Sequence, residues 1–294
     1  MDKITVRVPA TTANLGPGFD SVGCAFTLYN TITFIKNDKL EFEGCDEKYA
    51  NENNLAVVAL NKALAKKGLK TTGVKVIFES VDVPVSRGLG SSAALIVAGA
   101  FAANELYNLN LTKHDILCIC NEIEGHPDNL SPAIYGGLTA SLTKNGIPYS
   151  VHYDIHRSIH FVALIPDFEL ETSLARSVLP KQVAHSDAVF NESHLAVLLK
   201  ALENGDKELI SLALDDKLHQ PYRFNLIKGY ETAKQCAVNN GCISFCISGA
   251  GPTCLCLTDK ADFAEKLKAD LAKNGLETWK VLNLDVEFDG AKAI

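Results

Sequence analysis

The sequence lacks an excess of positive charge and any long hydrophobic run. Its 28 Lys and Arg residues are outnumbered by 35 Asp and Glu residues, which gives a formal charge of −7. Binding to nucleic acid or to an anionic membrane needs a basic face, so neither partner is expected. The longest apolar run, 93–103, contains a glycine and is too short to cross a bilayer. No apolar segment follows a basic start, so we expect no signal peptide and a cytoplasmic protein.

The cysteine spacing of a metal site or a disulfide framework is also missing. Nine cysteines are present, including the C-x-C pairs Cys118/Cys120 and Cys254/Cys256. No C-x-x-C occurs with a partner pair or with a nearby histidine couple. An odd number without a secretion signal indicates a reducing compartment. We therefore expect these cysteines to be small buried apolar residues.

Strand and helix patterns mix without regular alternation, which predicts an α+β fold. At 294 residues the chain is long enough for two modest domains, and we place these at 1–150 and 151–294, with a linker-like stretch near 145–160. Pro9–Gly23 is dense in Gly, Pro, Thr, Asn and Asp and is predicted to be a loop. The strands predicted from β-rich runs are 3–8, 24–35, 40–43, 74–79, 136–144, 160–166, 243–247, 253–257 and 279–286. The helices predicted from apolar spacing and caps are 54–67, 91–107, 112–125, 184–203, 205–217, 226–240 and 262–274.

No P-loop, Rossmann fingerprint or hydrolase elbow occurs in the chain. It has instead the segment Pro84–Ala94 (PVSRGLGSSAA), between a predicted strand and a predicted buried helix. Gly88 and Gly90 allow a tight turn and a close approach to a ligand. The free amides and the positive end of the following helix attract anions, and Ser91 and Ser92 add hydroxyls for a phosphate or Mg²⁺. A plain turn with a good N-cap is the structural alternative.

A second motif, Glu122–Asn129 (EIEGHPDN), ends a predicted helix. Its carboxylate, imidazole and amide groups suit the holding of a metal and the orientation of a hydroxyl. Glu122 and His126 are four residues apart, as one helical face requires, although Gly125 can break that register. The alternative is a charged helix terminus with a Pro-Asp turn.

Two further glycine-rich segments are candidates for ligand contacts. Val8–Gly23 (VPATTANLGPGFDSVG) has demanding backbone geometry, which is costly to order unless the segment holds something. Its Asn14 and Asp20 could bind an ammonium or a hydroxyl group; a cluster of structural turns is the alternative. Ile247–Cys254 (ISGAGPTC) either folds over the phosphate-binding segment or forms a simple hairpin.

Taken together and in this order, the motifs resemble the GHMP kinases over nearly the whole chain. PATTANLGPGFDSVG, EGHPDN, ETSLARSVLP and LHQPYR are most similar to the members that act on homoserine, with Leu-Ser-Pro at 130–132 as one small departure. The resemblance implies a ribosomal S5 domain 2-like N-terminal domain and a ferredoxin-like C-terminal domain. It implies a kinase that uses ATP and Mg²⁺ to phosphorylate L-homoserine in threonine biosynthesis, and it admits a homodimer.

The resemblance also implies roles for individual residues. ATP would contact Pro84, Val85, Ser86, Arg87, Gly88, Leu89, Gly90, Ser91, Ser92, Ala93, Ala94 and Asn54. Ser92 and Glu122 would hold Mg²⁺, with Glu124 as the alternative to Glu122. Homoserine would contact Asn14, Asp20, His126, Asp128, Asn129, Thr172, Arg176 and Arg223, with the 248–252 loop in support.

The chemistry assigns these groups to parts of the substrate. Asp20 suits the ammonium of a zwitterion, and Arg176 and Arg223 suit its carboxylate because a guanidinium can pair in a fork. Asp128 or Asn129 would orient the hydroxyl, and Asp128 as a true base is the alternative left open. A GHMP kinase acting on mevalonate or a sugar is the nearest rival. A non-catalytic binding module is the other, and the presence of Ser92, Glu122 and Asp128 disfavours it.

Overall fold

The computed structural model describes residues 1–70 and 73–294. The strands are β1 (Lys3–Asn14), β2 (Gly18–Lys36), β3 (Glu41–Glu43), β4 (Val74–Val81), β5 (Leu138–Lys144), β6 (Ile147–Tyr153), β7 (His160–Ile165), β8 (Ser244–Ile247), β9 (Cys254–Thr258), β10 (Lys280–Leu284) and β11 (Lys292–Ala293). The α-helices are α1 (Leu55–Ala65), α2 (Ser91–Tyr107), α3 (Lys113–Glu124), α4 (Leu130–Tyr135), α5 (Thr172–Ser177), α6 (His185–Asn204), α7 (Lys207–Ala213), α8 (Gln220–Arg223), α9 (Tyr230–Asn239) and α10 (Phe263–Lys273). These elements form the predicted α+β fold, with two separate sheets.

The first sheet is organised around β2, which is 19 residues long. The second half of β2 pairs with β1 on one side and with β4 on the other, and its first half also pairs with β5. The strand order is β11-β1-β2-β4-β3, and β6 follows β5. Alternation along β2 turns Ile32 and Phe34 toward the helix layer, where they share a core with Ile96 and Val97 of α2. Because α2 is covered by the sheet and by neighbouring helices, its almost uniformly apolar sequence is stable there.

The second sheet is antiparallel and has the strand order β10-β7-β9-β8. In chain order its elements are a strand, a helical segment, two strands, a helix and a strand, which is the ferredoxin-like arrangement. Helices α9 and α10 contribute to the core on one side of the sheet. A further core joins the two sheets, where the rings of Phe26 and Phe161 lie 5.2 Å apart. The cleft described below is therefore framed by two domains that share packed side chains.

Two predictions along the chain are corrected. Most of Pro9–Gly23 is not a loop, because β1 runs to Asn14 and β2 begins at Gly18. The unusual composition of this segment accompanies a shift of the β1–β2 register between Ala13 and Asn14. It also accompanies positive φ angles at Asn14, Leu15 and Asp20.

The stretch 145–160 is not a linker, because β6 pairs with β5 across an Asn145-Gly146 turn in which both residues have positive φ. The predicted boundary at 150/151 therefore cuts through β6. The change of sheet comes after Tyr153, and β11 returns to pair with β1.

Several local predictions are confirmed. Helix α2 begins at Ser91 and α3 follows Thr112, close to the predicted starts, and Thr112 and Asp115 form a capping box at the beginning of α3. All nine cysteines are free thiols; the predicted burial holds for those at 24, 120, 236, 246, 254 and 256 and is wrong for Cys45, Cys118 and Cys242, which are partly exposed. Across residues 1–70 and 73–294, no helix has the length and apolar character needed to span a membrane.

Candidate active site

A cleft of about 860 Å³ opens between the start of α2, the 44–54 segment and the second domain. All eight residues predicted to contact substrate line it: Asn14, Asp20, His126, Asp128, Asn129, Thr172, Arg176 and Arg223. Of the residues predicted to contact ATP, Asn54, Val85, Ser86, Arg87, Gly88, Gly90, Ser91 and Ser92 line the same cleft. Leu89, Ala93 and Ala94 are fully buried in the cores, and Pro84 does not line the cleft. The structure thus brings motifs that are far apart in sequence to one place.

The turn before α2 requires glycine at two positions. Gly88 and Gly90 have φ angles of 76° and 72°, in the left-handed region. A Cβ atom at Gly88 would lie 2.4 Å from the carbonyl oxygen of Ser248, and one at Gly90 would lie 2.0 Å from Thr11 Oγ1. The chain can therefore follow this path beside both domains only without side chains at 88 and 90.

The carbonyl groups of this turn are held from outside it. The carbonyl of Ser86 accepts a hydrogen bond from Leu170 N at 3.1 Å, and that of Arg87 accepts one from Thr253 N at 3.2 Å. The carbonyl of Gly88 accepts from Ser248 Oγ at 2.6 Å, and that of Leu89 accepts from Thr11 N at 3.1 Å. The amides of residues 88–93 have no acceptor in the part of the chain that the structure describes. Free amides at the positive end of a 17-residue helix attract anions. The 247–254 segment, a turn between β8 and β9, thus also contacts this loop through Ser248.

Arg87 ties the loop to the second domain. Its Nε donates to the carbonyl of Pro166 at 3.2 Å and its Nη2 to the carbonyl of Asp167 at 3.0 Å. Its Nη1 lies 3.6 Å from a carboxylate oxygen of Glu169. Because the guanidinium is engaged on this side, Arg87 acts on the loop mainly as an anchor.

The metal-ligand prediction needs a correction at one position. Ser92 Oγ donates a 2.7 Å hydrogen bond to Oε2 of Glu124, not of Glu122. Glu122 lies outside the cleft lining and pairs with Lys66 at 2.7 Å and Lys62 at 3.1 Å. Residues two apart on a helix point to different faces, so only one of these glutamates can reach Ser92. The candidate ligand is therefore Glu124, the alternative that the sequence left open.

The two glutamates also differ electrostatically. Burial raises the pKa of Glu124, and the hydrogen bond from Ser92 opposes that shift. The hydrogen bonds from Lys66 and Lys62 lower the pKa of Glu122. The negative charge of Glu124 is thus only partly stabilised by its neighbours, as expected for a carboxylate that binds a cation.

A second hydrogen-bonded group follows Gly125, the residue that ends α3. His126 Nδ1 donates to Oδ1 of Asp128 at 2.6 Å, and the amide of Asn129 donates to the same oxygen at 2.8 Å. Burial lowers the pKa of His126, but the hydrogen bond and charge of Asp128 outweigh it, so the net shift is upward. No described residue donates to the other carboxylate oxygen of Asp128, Oδ2. This oxygen is the acceptor available to a bound hydroxyl.

The groups predicted for the two charges of the substrate contact each other. Arg176 Nη1 and Nη2 donate to the two oxygens of Asp20 at 3.0 and 2.8 Å. Asn14 positions Asp20, because its Oδ1 accepts from Asp20 N at 3.0 Å and its Nδ2 donates to the carbonyl of Gly249 at 2.7 Å. Asn14 is thus a supporting residue, with both ends of its amide in use.

Arg223 is a buried cation, 2% exposed, that lines the cleft. Its Nε donates to the carbonyl of Ala175 and its Nη1 to that of Gly249, each at 3.1 Å. No carboxylate in the described ranges forms an ion pair with it, and burial and Arg176 lower its pKa to about 10. Burying a charge without a counter-ion is unfavourable, so this position favours a bound anion.

His219 holds Arg223 in place. Its Nε2 donates to the carbonyl of Gly16 at 2.9 Å, and its Nδ1 accepts from Arg223 Nη1 at 3.3 Å. A carbonyl can only accept and a guanidinium can only donate, so the imidazole is neutral with its proton on Nε2. This arrangement agrees with the pKa of His219, which burial lowers.

Sequence reasoning missed one side of the cleft, which residues of the first domain form. Among the lining residues there are Asn30, Lys48, Tyr49, Leu55, Phe78, Val81 and Leu95. Asn54 was predicted; it caps α1 by accepting from Ala56 N and donates to the carbonyl of Tyr49, each at 3.0 Å. The other residues form no local motif, because strand and helix packing alone brings them together.

The chain matches two family models. Residues 54–137 match the GHMP kinases N terminal domain, and residues 198–276 match the GHMP kinases C terminal domain. A homoserine kinase of Clostridium botulinum (strain Okra / Type B1) is 46% identical over 291 residues, which cover 97% of this chain and 96% of the relative. A homoserine kinase of Clostridium beijerinckii is 41% identical over 294 residues, covering 99% and 98%.

Solved structures agree in fold. The crystal structure of homoserine kinase from Cytophaga hutchinsonii has a TM-score of 0.90 at 29% identity and covers 100% of this chain and 98% of its own. The structure of Leishmania major mevalonate kinase in complex with R-mevalonate has a TM-score of 0.73 at 17% identity, covering 97% and 96%. At that identity the second likeness concerns the fold alone.

Proposed function

The chain belongs to the homoserine kinases of the GHMP kinase family, and on that premise we propose that ATP and L-homoserine react in the cleft described above. The activity is that of a kinase that uses ATP. The α+β fold, the family and the kinase activity predicted from the sequence are thereby confirmed. The roles of individual residues, the metal and the oligomeric state belong to the proposal.

One observation carries the choice of substrate. Asp20, Arg176 and the buried Arg223 line the same cleft as the free amides at the start of α2. An anion and two cations close together suit an amino acid, whose ammonium and carboxylate need opposite partners. Mevalonate and sugars have no ammonium group, so they could offer Asp20 a hydroxyl hydrogen bond but no opposite charge. The cleft therefore favours a zwitterionic acceptor over the substrates of the rival kinases.

We propose that the polyphosphate of ATP lies on the amides of residues 88–93. A phosphoryl transfer with a loose transition state depends on alignment and charge neutralisation more than on a strong base. Amides fixed in advance by the turn can stabilise this charge without reorganising. The anchoring of the loop through Arg87 and Ser248 keeps these donors in place.

Ser92 and Glu124 fit a magnesium ion. Mg²⁺ prefers hard oxygen ligands and usually takes only one or two from the protein. The hydroxyl and the carboxylate are already neighbours, at 2.7 Å. Mg²⁺ bound there would neutralise charge on the phosphates.

Asp128 would orient the acceptor hydroxyl through Oδ2. Its Oδ1 is occupied by His126 and by the amide of Asn129 at 2.6 and 2.8 Å, which fixes the plane of the carboxylate. The substrate hydroxyl donates a hydrogen bond to Oδ2 while its lone pair attacks the γ-phosphorus, and its proton then passes to an oxygen of the transferred phosphoryl group. The new O–P bond forms as the bond from that phosphorus to the β,γ-bridging oxygen breaks, which releases ADP.

A coupled ADP-release assay over a small panel tests this function. We expect turnover with L-homoserine and MgATP, and little or none with mevalonate, galactose or an amino alcohol without a carboxylate. Turnover with mevalonate or galactose in preference to homoserine would reassign the substrate. No turnover with any acceptor, together with retained ligand binding, would favour the binding module. Self-association is a separate expectation, which sedimentation equilibrium would test.

A further inference from the structure

Asn30 of β2 is a fully buried amide with one unused end. Its Oδ1 accepts a 3.1 Å hydrogen bond from the backbone N–H of Val83. Its Nδ2 has no hydrogen-bond partner among residues 1–70 and 73–294. Because Oδ1 must be the end that faces an N–H, the orientation of the amide is fixed and Nδ2 is the end left over. A buried donor without a partner costs about 1–3 kcal/mol, which makes such a group rare without a reason.

This amide belongs to the cleft. Side chains alternate along β2, so Asn30 lies on the same face of the sheet as Ile32 and Phe34, which face the helix layer. Asn30 is at the end of this row of side chains. There Asn30 lines the cleft, and apolar residues of the missed side lie on the same lining: Leu55, Phe78, Val81 and Leu95. Asn30 is the cross-strand partner of Val81, and Ile32, the next residue of the row, is that of Phe78, so the amide lies beside apolar residues of this lining.

The position indicates which part of a nucleotide it would meet. The free amides proposed to bind phosphate begin at Gly88. Asn30 is hydrogen-bonded to the backbone of Val83, which precedes the glycine turn. Apolar side chains suit the faces of a flat aromatic base and give nothing to a phosphate. On adenine the exocyclic amino group is a donor, so only a ring nitrogen can accept from Nδ2.

We propose that Asn30 Nδ2 donates a hydrogen bond to a ring nitrogen of the adenine of ATP and so helps to select the base. The inference rests on the proposed function only in taking ATP as the ligand. Val83 N–H fixes the amide from behind, so the donor is held in place before the nucleotide arrives. Asn54 differs, because both ends of its amide are already in use.

The test compares ATP with its 1-deaza, 3-deaza and 7-deaza analogues, each of which lacks one ring nitrogen. Binding is measured by calorimetry without homoserine, on the wild type and on Asn30→Asp. This variant keeps an acceptor for Val83 N–H and removes the donor. We expect the wild type to bind one analogue about 10-fold more weakly than ATP, the upper range for one hydrogen bond. Asn30→Asp should bind ATP more weakly and should no longer distinguish ATP from that analogue.

Asn121→Asp is the matched control. Asn121 is also a buried amide with an unpartnered atom, its Oδ1, but it does not line the cleft. It should keep the wild-type preference among the four nucleotides. If Asn30→Asp does not fold, Asn30→Ser provides the comparison, since its hydroxyl is too short to span the same distance.

Two results would overturn the proposal. One is a wild type that binds all three analogues as tightly as ATP. The other is an Asn30 variant that weakens ATP and every analogue by the same factor, because the amide would then be structural. These measurements are separate from the kinase assay. A wild type that fails to phosphorylate homoserine contradicts the proposed function, whereas a wild type without a base preference but with normal turnover contradicts only the role of Asn30.

Discussion

Arg176 of α5 and Asp20 of β2 form a two-point ion pair, with N–O distances of 3.0 and 2.8 Å, that joins the two domains across the cleft. Each is also the residue proposed to meet one charge of a zwitterion. A homoserine molecule can exchange with this pair without leaving a charge alone, because its ammonium meets Asp20 while its carboxylate meets Arg176. A substrate with only one of these charges would leave one partner unpaired, at a cost.

The first prediction concerns the carboxylate partners. Arg223→Lys and Arg176→Lys should each lower kcat/KM for homoserine roughly ten- to a hundred-fold, because an ammonium cannot make the bidentate fork and one charge-assisted hydrogen bond is worth about 1.5–3 kcal/mol. Steady-state kinetics should show an almost unchanged KM for ATP. The exposed Arg157→Lys is the control and should match the wild type. Normal discrimination for homoserine with a loss of ATP affinity would instead identify these arginines as phosphate clamps.

The second prediction uses the neighbouring glutamates as a matched pair. Glu124→Gln and Ser92→Ala should each lower turnover with MgATP by orders of magnitude, since both would remove an oxygen ligand of the metal. Glu122→Gln should keep near-normal turnover and lose at most about 1 kcal/mol of stability, because its ion pairs with Lys62 and Lys66 are at the surface. Magnesium titrations of activity, together with thermal unfolding, check both halves. If Glu124→Gln kept normal turnover and Glu122→Gln were inactive, Glu122 would be the metal ligand.

The third prediction separates an orienting group from a base. Asp128→Asn keeps an oxygen that can accept from His126 and Asn129, but it removes the negative charge at Oδ2. If Asp128 only orients the hydroxyl, turnover should fall by about 10²-fold and remain measurable, the range for one positioned acid–base group. Single-turnover kinetics would check this. Complete loss of transfer, with binding of both substrates retained, would mean that Asp128 acts as the base.

Most of the site could be predicted from the sequence where a motif is continuous. The glycine turn, the EGHPDN segment and the start of the chain each place their groups through local geometry, and most residues predicted from them line the cleft, although Pro84, Leu89, Ala93 and Ala94 do not. Glu122 was predicted in place of Glu124 because the pattern E-x-E gives two carboxylates, and only the rotation of α3 decides which one faces Ser92.

The remainder depends on contacts distant in sequence. Asn30 lies in a strand whose alternation predicts burial, but no local signal shows that its amide lines the cleft. The same holds for Phe78 and Tyr49, which reach the cleft from a strand and from the short 3-10 helix Glu47–Tyr49. The missed strand β6 is different, since the Asn145-Gly146 turn was visible in the sequence and its hairpin geometry was not recognised.

The fourth prediction concerns stability and pH. Burial lowers the pKa of His219 below its usual value of 6.5. As the pH falls below that value, the unfolded chain binds a proton that the folded imidazole does not take up, so the free energy of unfolding decreases. His219→Gln should remove this part of the decrease, and the exposed His185→Gln should not. Urea unfolding at several pH values checks it. Since His126 has a raised pKa and works in the opposite sense, the difference between wild type and variant is the quantity to compare.

The central claim is that the γ-phosphate of ATP is transferred to the side-chain oxygen of homoserine in this cleft. Phosphorus-31 NMR of a mixture of the protein, MgATP and L-homoserine tests it most directly, because it identifies the product. The account predicts ADP together with a phosphomonoester signal coupled to the side-chain CH₂ of homoserine, both strongly reduced in Glu124→Gln. ADP with inorganic phosphate alone, or no loss of ATP in the presence of homoserine, would contradict it.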